Sequence, residues 1–211
     1  MRFAVTGTST GIGKTVFSAA LAGALEGYYW KPVQSGLDGE TDSETVRRLS
    51  GLPKDRIIPE AYRLALPASP HIAAAREGIQ IEASRLAIPE GASPLVIEGA
   101  GGLMVPLRAD LLQIDLFASW GLPVILCALT SLGTINHTLL SIEAIARRSI
   151  KLHGVVFTGD RNAEVENTIV ELGKARRLGG LPRLDPLNAG RLGEAFRMNF
   201  RLSEFTSEGF R

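Results

Sequence analysis

Ten residues near the amino terminus, Thr6-Gly-Thr-Ser-Thr-Gly-Ile-Gly-Lys-Thr15, restrict the possible folds more than any other stretch of the chain. They join an apolar run, Phe3-Ala-Val-Thr6, to a segment of helical periodicity over 14–25. Between a strand and a helix, glycines let the backbone curl until its N–H groups converge on phosphate oxygens. The helix N-terminus adds the positive end of its dipole. The common spacing of such loops is G-x-x-x-x-G-K-[ST], which asks for glycine at position 8. This chain has Thr8, and Gly7 comes one residue early. The closing Gly13-Lys14-Thr15 is intact, so Lys14 is expected on the β- and γ-phosphates of a nucleotide and the Thr15 hydroxyl on Mg²⁺. The alternative is a glycine-rich turn that only caps a helix.

The rest of the chain repeats a strand-then-helix rhythm. Short apolar runs at Leu95-Val-Ile-Glu98, Val124-Ile-Leu-Cys127 and Gly154-Val-Val-Phe157, with Tyr28-Tyr-Trp-Lys31 less hydrophobic, do not alternate and so read as strands buried on both faces. Helical periodicity covers 14–25, 111–120, 134–148 and 164–178, with Gly121 and Pro123 stopping the second helix and Gly179 and Gly180 the last. The expected fold is α/β, P-loop NTPase-like, with a mainly parallel central sheet and helices on both faces, in one domain over 1–211. Residues 36–93 are the least regular part, broken by Pro53, Pro59, Pro67, Pro70 and Pro89, and read as a substrate-binding excursion.

Composition narrows the partners. Of 211 residues, 45% are hydrophobic, which suits a full core, and 23 Lys+Arg against 22 Asp+Glu leave a net charge of +1, too little to hold nucleic acid by its field. The single cysteine, Cys127, sits in an apolar run and excludes a disulfide framework. No apolar stretch approaches the roughly 20 residues needed to span a bilayer, and the chain opens straight into the loop, so a cytoplasmic protein without membrane contact is expected.

Four further motifs carry chemistry. Glu98 ends an apolar run and precedes Gly-Ala-Gly-Gly102, which places an acid where ligands bind in parallel sheets, followed by residues small enough to approach a phosphate. Asp42 is either a second metal ligand or the N-cap of the helix carrying Val46 and Leu49. Lys31, in Lys31-Pro-Val-Gln-Ser-Gly36, is either a catalytic cation beside the phosphates or a surface lysine, with the Ser35 hydroxyl nearby. Leu132-Gly-Thr-Ile-Asn-His137 opens a helix whose free N–H groups suit an anion with Asn136 assisting, or is simply a capped helix start. His71, His137 and His153 have no metal-ligand spacing, and no Ser/His or Cys/His set is evident.

Together these segments resemble the dethiobiotin synthetase family, ATP-dependent carboxylases and cyclo-ligases of biotin biosynthesis. The matching pieces occur in family order: the loop with its early Gly7, Lys31-Pro-Val-Gln-Ser-Gly36, the acid of Thr41-Asp42-Ser43, Val96-Ile-Glu-Gly-Ala-Gly-Gly102, Leu132-Gly-Thr-Ile-Asn-His-Thr-Leu-Leu140 and Leu181-Pro-Arg-Leu184. The resemblance implies that Gly11, Ile12, Gly13, Lys14, Thr15 and Val16 hold the ATP phosphates. It puts Thr15, Asp42 and Glu98 around Mg²⁺, and Glu98, Gly99, Ala100 and Gly101 along the γ-phosphate. Lys31 corresponds to the catalytic lysine, assisted by Lys14, and Ser35 to a substrate-contacting hydroxyl. Gly133 and Asn136 correspond to the place that receives the tail carboxylate of 7,8-diaminononanoate across a homodimer interface. Pro182, Arg183 and Leu184 lie where the family wraps the base. The implied reaction takes CO₂ or bicarbonate, the diamine and a nucleoside triphosphate.

One departure bears on the base. Where the family has an asparagine after the fourth strand run, this chain has Thr158-Gly159-Asp160, with Asn162 farther on. The choice among ATP, GTP and CTP is therefore left open, with Asp160 a candidate acceptor for an exocyclic amine. Three other readings share the loop. A partition-type ATPase switch has a second lysine where this chain has Thr8, an amide ligase of cobalamin biosynthesis carries an extra domain, and a bare nucleotide-binding module would turn Lys31 and Glu98 away from the phosphates.

Overall fold

The computed structural model describes residues 1–206. In chain order the elements are β1 (Arg2–Gly7), α1 (Lys14–Ala24), β2 (Tyr28–Trp30), β3 (Val33–Ser35), α2 (Asp42–Ser50), β4 (Ile57–Ile58), β5 (Tyr62–Leu64), α3 (Pro70–Arg76), β6 (Leu95–Gly102), β7 (Pro106–Arg108), β8 (Leu111–Leu112), α4 (Gln113–Trp120), β9 (Val124–Leu129), α5 (Thr134–Arg147), β10 (Leu152–Thr158), α6 (Ala163–Gly173), β11 (Arg177–Leu181) and α7 (Ala189–Asn199). Seven strands form one parallel sheet in the order β11-β10-β9-β1-β6-β2-β4.

The expected layering is present, and the strand side chains show why. Along β1 and β9, Phe3, Val5, Ile125 and Cys127 pack with α1, α2 and α7 on one face of the sheet. Their sequence neighbours Ala4, Val124, Leu126 and Ala128 pack on the other face with Ile114 and Phe117 of α4 and Ile145 of α5. A strand with two apolar faces must be covered twice, which is why these runs lack polar alternation. Cys127 is a core residue whose thiol burial pushes up to about 12.

Three sequence expectations are corrected. The helix expected over 164–178 is α6, which ends at Gly173 with Lys174 in the left-handed conformation; residues 177–181 form the edge strand β11 instead of its final turns, and a further helix, α7, follows. Pairing with β10 overrides helical periodicity there, and Gly154 lets the two strands close, since a Cβ on it would lie 2.7 Å from the Arg176 carbonyl. The strand carrying Glu98 runs on to Gly102, with a register irregularity opposite Val5 and Gly7. Finally, the irregular stretch over 36–93 contains strands as well as α2 and α3: β4 joins the sheet edge, and β5 pairs in parallel with β3, which lies just before the stretch.

Candidate active site

The phosphate loop turns from β1 into α1 above the centre of the sheet. Gly13 caps α1 at φ 87°, a left-handed conformation that favours glycine. Gly7, the early glycine, meets a packing demand: a Cβ on it would lie 2.3 Å from Ile12 Cδ1 and 3.1 Å from Lys14 Cδ. Folded over that space, the Lys14 ammonium donates to the Ser9 carbonyl at 2.8 Å. Burial holds its pKa below the ordinary lysine value, against the pull of Glu98.

Strand register assembles the charged cluster beside this loop. Tyr29 of β2 lies opposite Val96 of β6, and side chains two residues apart share a face, so Lys31, just past β2, meets Glu98 on the face that carries α1. Lys31 Nζ lies 3.1 Å from Glu98 Oε1 and 2.5 Å from Asp42 Oδ2, and it donates to the Gly99 carbonyl at 3.2 Å. Thr15 Oγ1 lies 3.0 Å from Asp42 Oδ1 and 2.9 Å from Glu98 Oε1. Burial works against the charged form of Lys31, but Glu98 and Asp42 outweigh it and raise its pKa. Burial likewise opposes ionisation of Asp42, and Lys31 and Thr15 overcome it, holding its carboxyl below the usual range.

The alternative role for Asp42 is also resolved. Thr41 caps α2, its hydroxyl accepting from the Glu44 N–H while Glu44 accepts from the Thr41 N–H. Asp42 is thereby left to face Lys31 and Thr15. Its own N–H donates to Gln34 Oε1 at 3.3 Å, and the Gln34 amide donates to the Ser35 and Gly36 carbonyls, tying α2 to the end of β3.

Three hard oxygens therefore converge at one point: the Thr15 hydroxyl and one oxygen from each of Asp42 and Glu98. Two carboxylates and a hydroxyl match Mg²⁺, which commonly takes one or two protein carboxylates and completes its shell with phosphate and water.

Two cavities flank the cluster. One, of about 590 Å³, is lined by Gly11, Ile12, Gly13 and Val16 of the loop, by Thr130, Ser131, Thr158, Gly159 and Asp160, and by Leu181, Pro182, Arg183, Leu184 and Leu187. The other, of about 410 Å³, is lined by Thr10, Lys31, Gln34, Ser35, Asp42, Ala100 and Gly101, with residues 67–70 and Val105 across from them. The Ser35 hydroxyl is buried there and has no hydrogen-bond partner among the described residues.

Gly133 and Asn136 are not brought to either cavity. Gly133 begins α5 in a left-handed conformation, and both residues are exposed beside Leu132 and Leu140. In the segment where the family's asparagine is replaced, the Thr158 hydroxyl donates to the Ile12 carbonyl at 2.6 Å, and Asn162 caps α6. Sequence reasoning assigned no role to Gln34, Thr130, Ser131 or Leu187. Gln34 alone had a signal, its place inside a quoted motif.

Comparison with known proteins bears on this arrangement. A family model described as an AAA domain matches residues 1–191. The chain is 58% identical over 204 residues to the ATP-dependent dethiobiotin synthetase of Nitrobacter hamburgensis, covering 97% of this chain and 96% of that protein. The same enzyme of Rhodopseudomonas palustris strain BisB5 is 61% identical over 204 residues, with 97% and 96% covered. This chain belongs to the dethiobiotin synthetase family. Among solved structures, a ParA family ATPase from Chlorobium tepidum superposes with a TM-score of 0.56 at 11% identity over 97% of this chain and 92% of that one. The MinD cell division protein of Aquifex aeolicus gives 0.53 at 12% identity over 92% and 86%. At those identities the likeness shows only the fold that dethiobiotin synthetases share with such ATPases.

Proposed function

We propose that this chain performs the reaction for which its family is named: ATP- and Mg²⁺-dependent carboxylation and ring closure of 7,8-diaminononanoate with CO₂, yielding dethiobiotin, ADP and phosphate. The observation that carries this reading is Lys31, whose ammonium touches both carboxylates beside the phosphate loop and also lines the second cavity. A fixed cation shared by those two places stabilises charge developing as a phosphoryl group passes to an acceptor.

In the proposed sequence, one amine of the diamine takes up CO₂ and loses a proton to become a carbamate. A carbamate oxygen attacks the γ-phosphorus and ADP leaves. The second amine then attacks the carbonyl carbon of the mixed anhydride, closing the ureido ring and expelling phosphate. These steps need reactive groups held in line more than they need a protein nucleophile. Lys14 and the backbone of residues 11–16 would hold the phosphates, with Gly99, Ala100 and Gly101 alongside, and Ser35 would bind the diamine. Thr15, Asp42 and Glu98 would hold Mg²⁺, which when bound neutralises charge on the phosphate oxygens. Pro182, Arg183 and Leu184 would enclose the base.

The reading includes a homodimer in which Gly133 and Asn136 receive the tail carboxylate bound to the partner subunit. Their exposure outside both cavities, beside the exposed apolar side chains of Leu132, Leu140 and Met104, supports it. It also includes one domain over 1–211, supported by one seven-stranded sheet whose strands are drawn from residues 2 to 181, and a cytoplasmic location. No helix among the described residues is long and apolar enough to cross a membrane.

The test is phosphate release with the diamine, bicarbonate and Mg²⁺, with product followed by mass spectrometry. Dethiobiotin formed only when the diamine is present is the expected result. Phosphate release indifferent to the diamine, with no dethiobiotin, would overturn the reading.

A further inference from the structure

Tyr29 is fully buried on the α1 face of β2, among the side chains that pack against α1 and α2. Its position opposite Val96 makes it a diagonal neighbour of Glu98, within reach of an aromatic side chain. The phenol hydroxyl spans that gap and donates to Glu98 Oε2 at 3.0 Å. Glu98 Oε1 receives Thr15 and Lys31 instead. The carboxylate is thus divided, one oxygen tied back into the apolar core and the other turned to the loop.

We propose that Tyr29 is a positioning residue that holds Glu98 so that a single carboxylate oxygen is presented to the metal. This rests on the reading of Glu98 as a Mg²⁺ ligand. A buried carboxylate oxygen that loses its donor must find another partner, and turning the Glu98 carboxylate to find one would carry both oxygens away from their present assignments. Partners behind a metal ligand commonly set affinity through this kind of orientation.

Tyr29→Phe keeps the ring and removes only the hydroxyl. The Mg²⁺ concentration that half-saturates diamine-dependent phosphate release is expected to rise about 10–100-fold, with the KM for the diamine unchanged. Mn²⁺ binding to the ADP-loaded protein, read by electron paramagnetic resonance, is expected to weaken in parallel. Tyr29→Met, a second variant without a hydroxyl, should repeat the defect. In a Glu98→Ala background, adding Tyr29→Phe should change Mn²⁺ affinity by no more than about twofold, because the group it acts through is gone. Variants that melt earlier but keep wild-type Mg²⁺ half-saturation and Mn²⁺ affinity would make Tyr29 a packing residue and overturn the proposal. A wild-type protein that makes no dethiobiotin would sink the functional reading instead.

Discussion

The two cavities on either side of the phosphate loop are built on different principles. The smaller is walled by charge: Lys31 and Asp42 are held at strand and helix ends by the Glu98 contact and by the Gln34 bonds that tie α2 to β3. The larger is walled by backbone and by apolar and hydroxyl side chains of the phosphate loop and of the loops after β9, β10 and β11, with Asp160 and Arg183 its only ionic side chains among the described residues. Groups that must meet developing charge are fixed before the substrate arrives, because reorganising a buried ion pair during the reaction would be costly. A surface that only encloses a base can be assembled from loops. One hydrogen bond, from Thr158 to the Ile12 carbonyl, ties the β10 wall of the larger cavity to the phosphate loop that leads on to the charged cluster.

If the smaller cavity is the chemical one, Lys31→Ala should keep nucleotide binding and lower turnover by about two orders of magnitude or more, by analogy with removing one oxyanion-stabilising donor. Turnover like wild type would erase the contrast between the cavities. Lys14→Ala removes the ammonium that now rests on the Ser9 carbonyl and should weaken triphosphate binding about 10–100-fold, as expected for a lost charge-assisted hydrogen bond. Calorimetry showing unchanged affinity would count against the loop as the phosphate site.

Thr158→Val tests the link. Leaving the Ile12 carbonyl without its donor should lower stability by about 1–3 kcal/mol and raise KM for ATP while sparing kcat. A fall in kcat instead would mean that the two cavities are coupled through the loop. The smallest effect belongs to Asp160→Asn, which should shift the relative KM of ATP, GTP and CTP by about 2–10-fold, the range of one exposed hydrogen bond. Identical rankings would leave base choice to the backbone and to residues 182–184.

Much of this site was legible in the sequence because its parts are local. Gly13-Lys14-Thr15 at the start of α1, Lys31 and Ser35 just past or at the end of short strands, and Glu98 before its glycines each have little choice of direction, and the charged cluster holds Thr15, Lys31 and Glu98. Asp42 was ambiguous because a helix start accepts either a cap or a free acid. Thr41 and Glu44 decided it by forming the capping box themselves. Residues 177–181 were misread because helical periodicity ran into a glycine pair whose partner strand lies some 20 residues earlier, and only pairing with β10 made them β11. Tyr29 was legible only as a strand residue, since its hydroxyl acquires a role solely through the β2–β6 register.

The chain by itself determined the layered α/β fold, the phosphate loop and the charged residues of the chemistry, because strand-helix periodicity and a glycine-rich turn act over a few neighbouring residues. Tertiary structure alone decided which of those charges touch, what stands behind Glu98, and that Thr158 braces the loop and Asn162 caps α6. Those outcomes depend on register and close packing between segments far apart in sequence, where a shift of one residue would turn each side chain to the opposite face of the sheet.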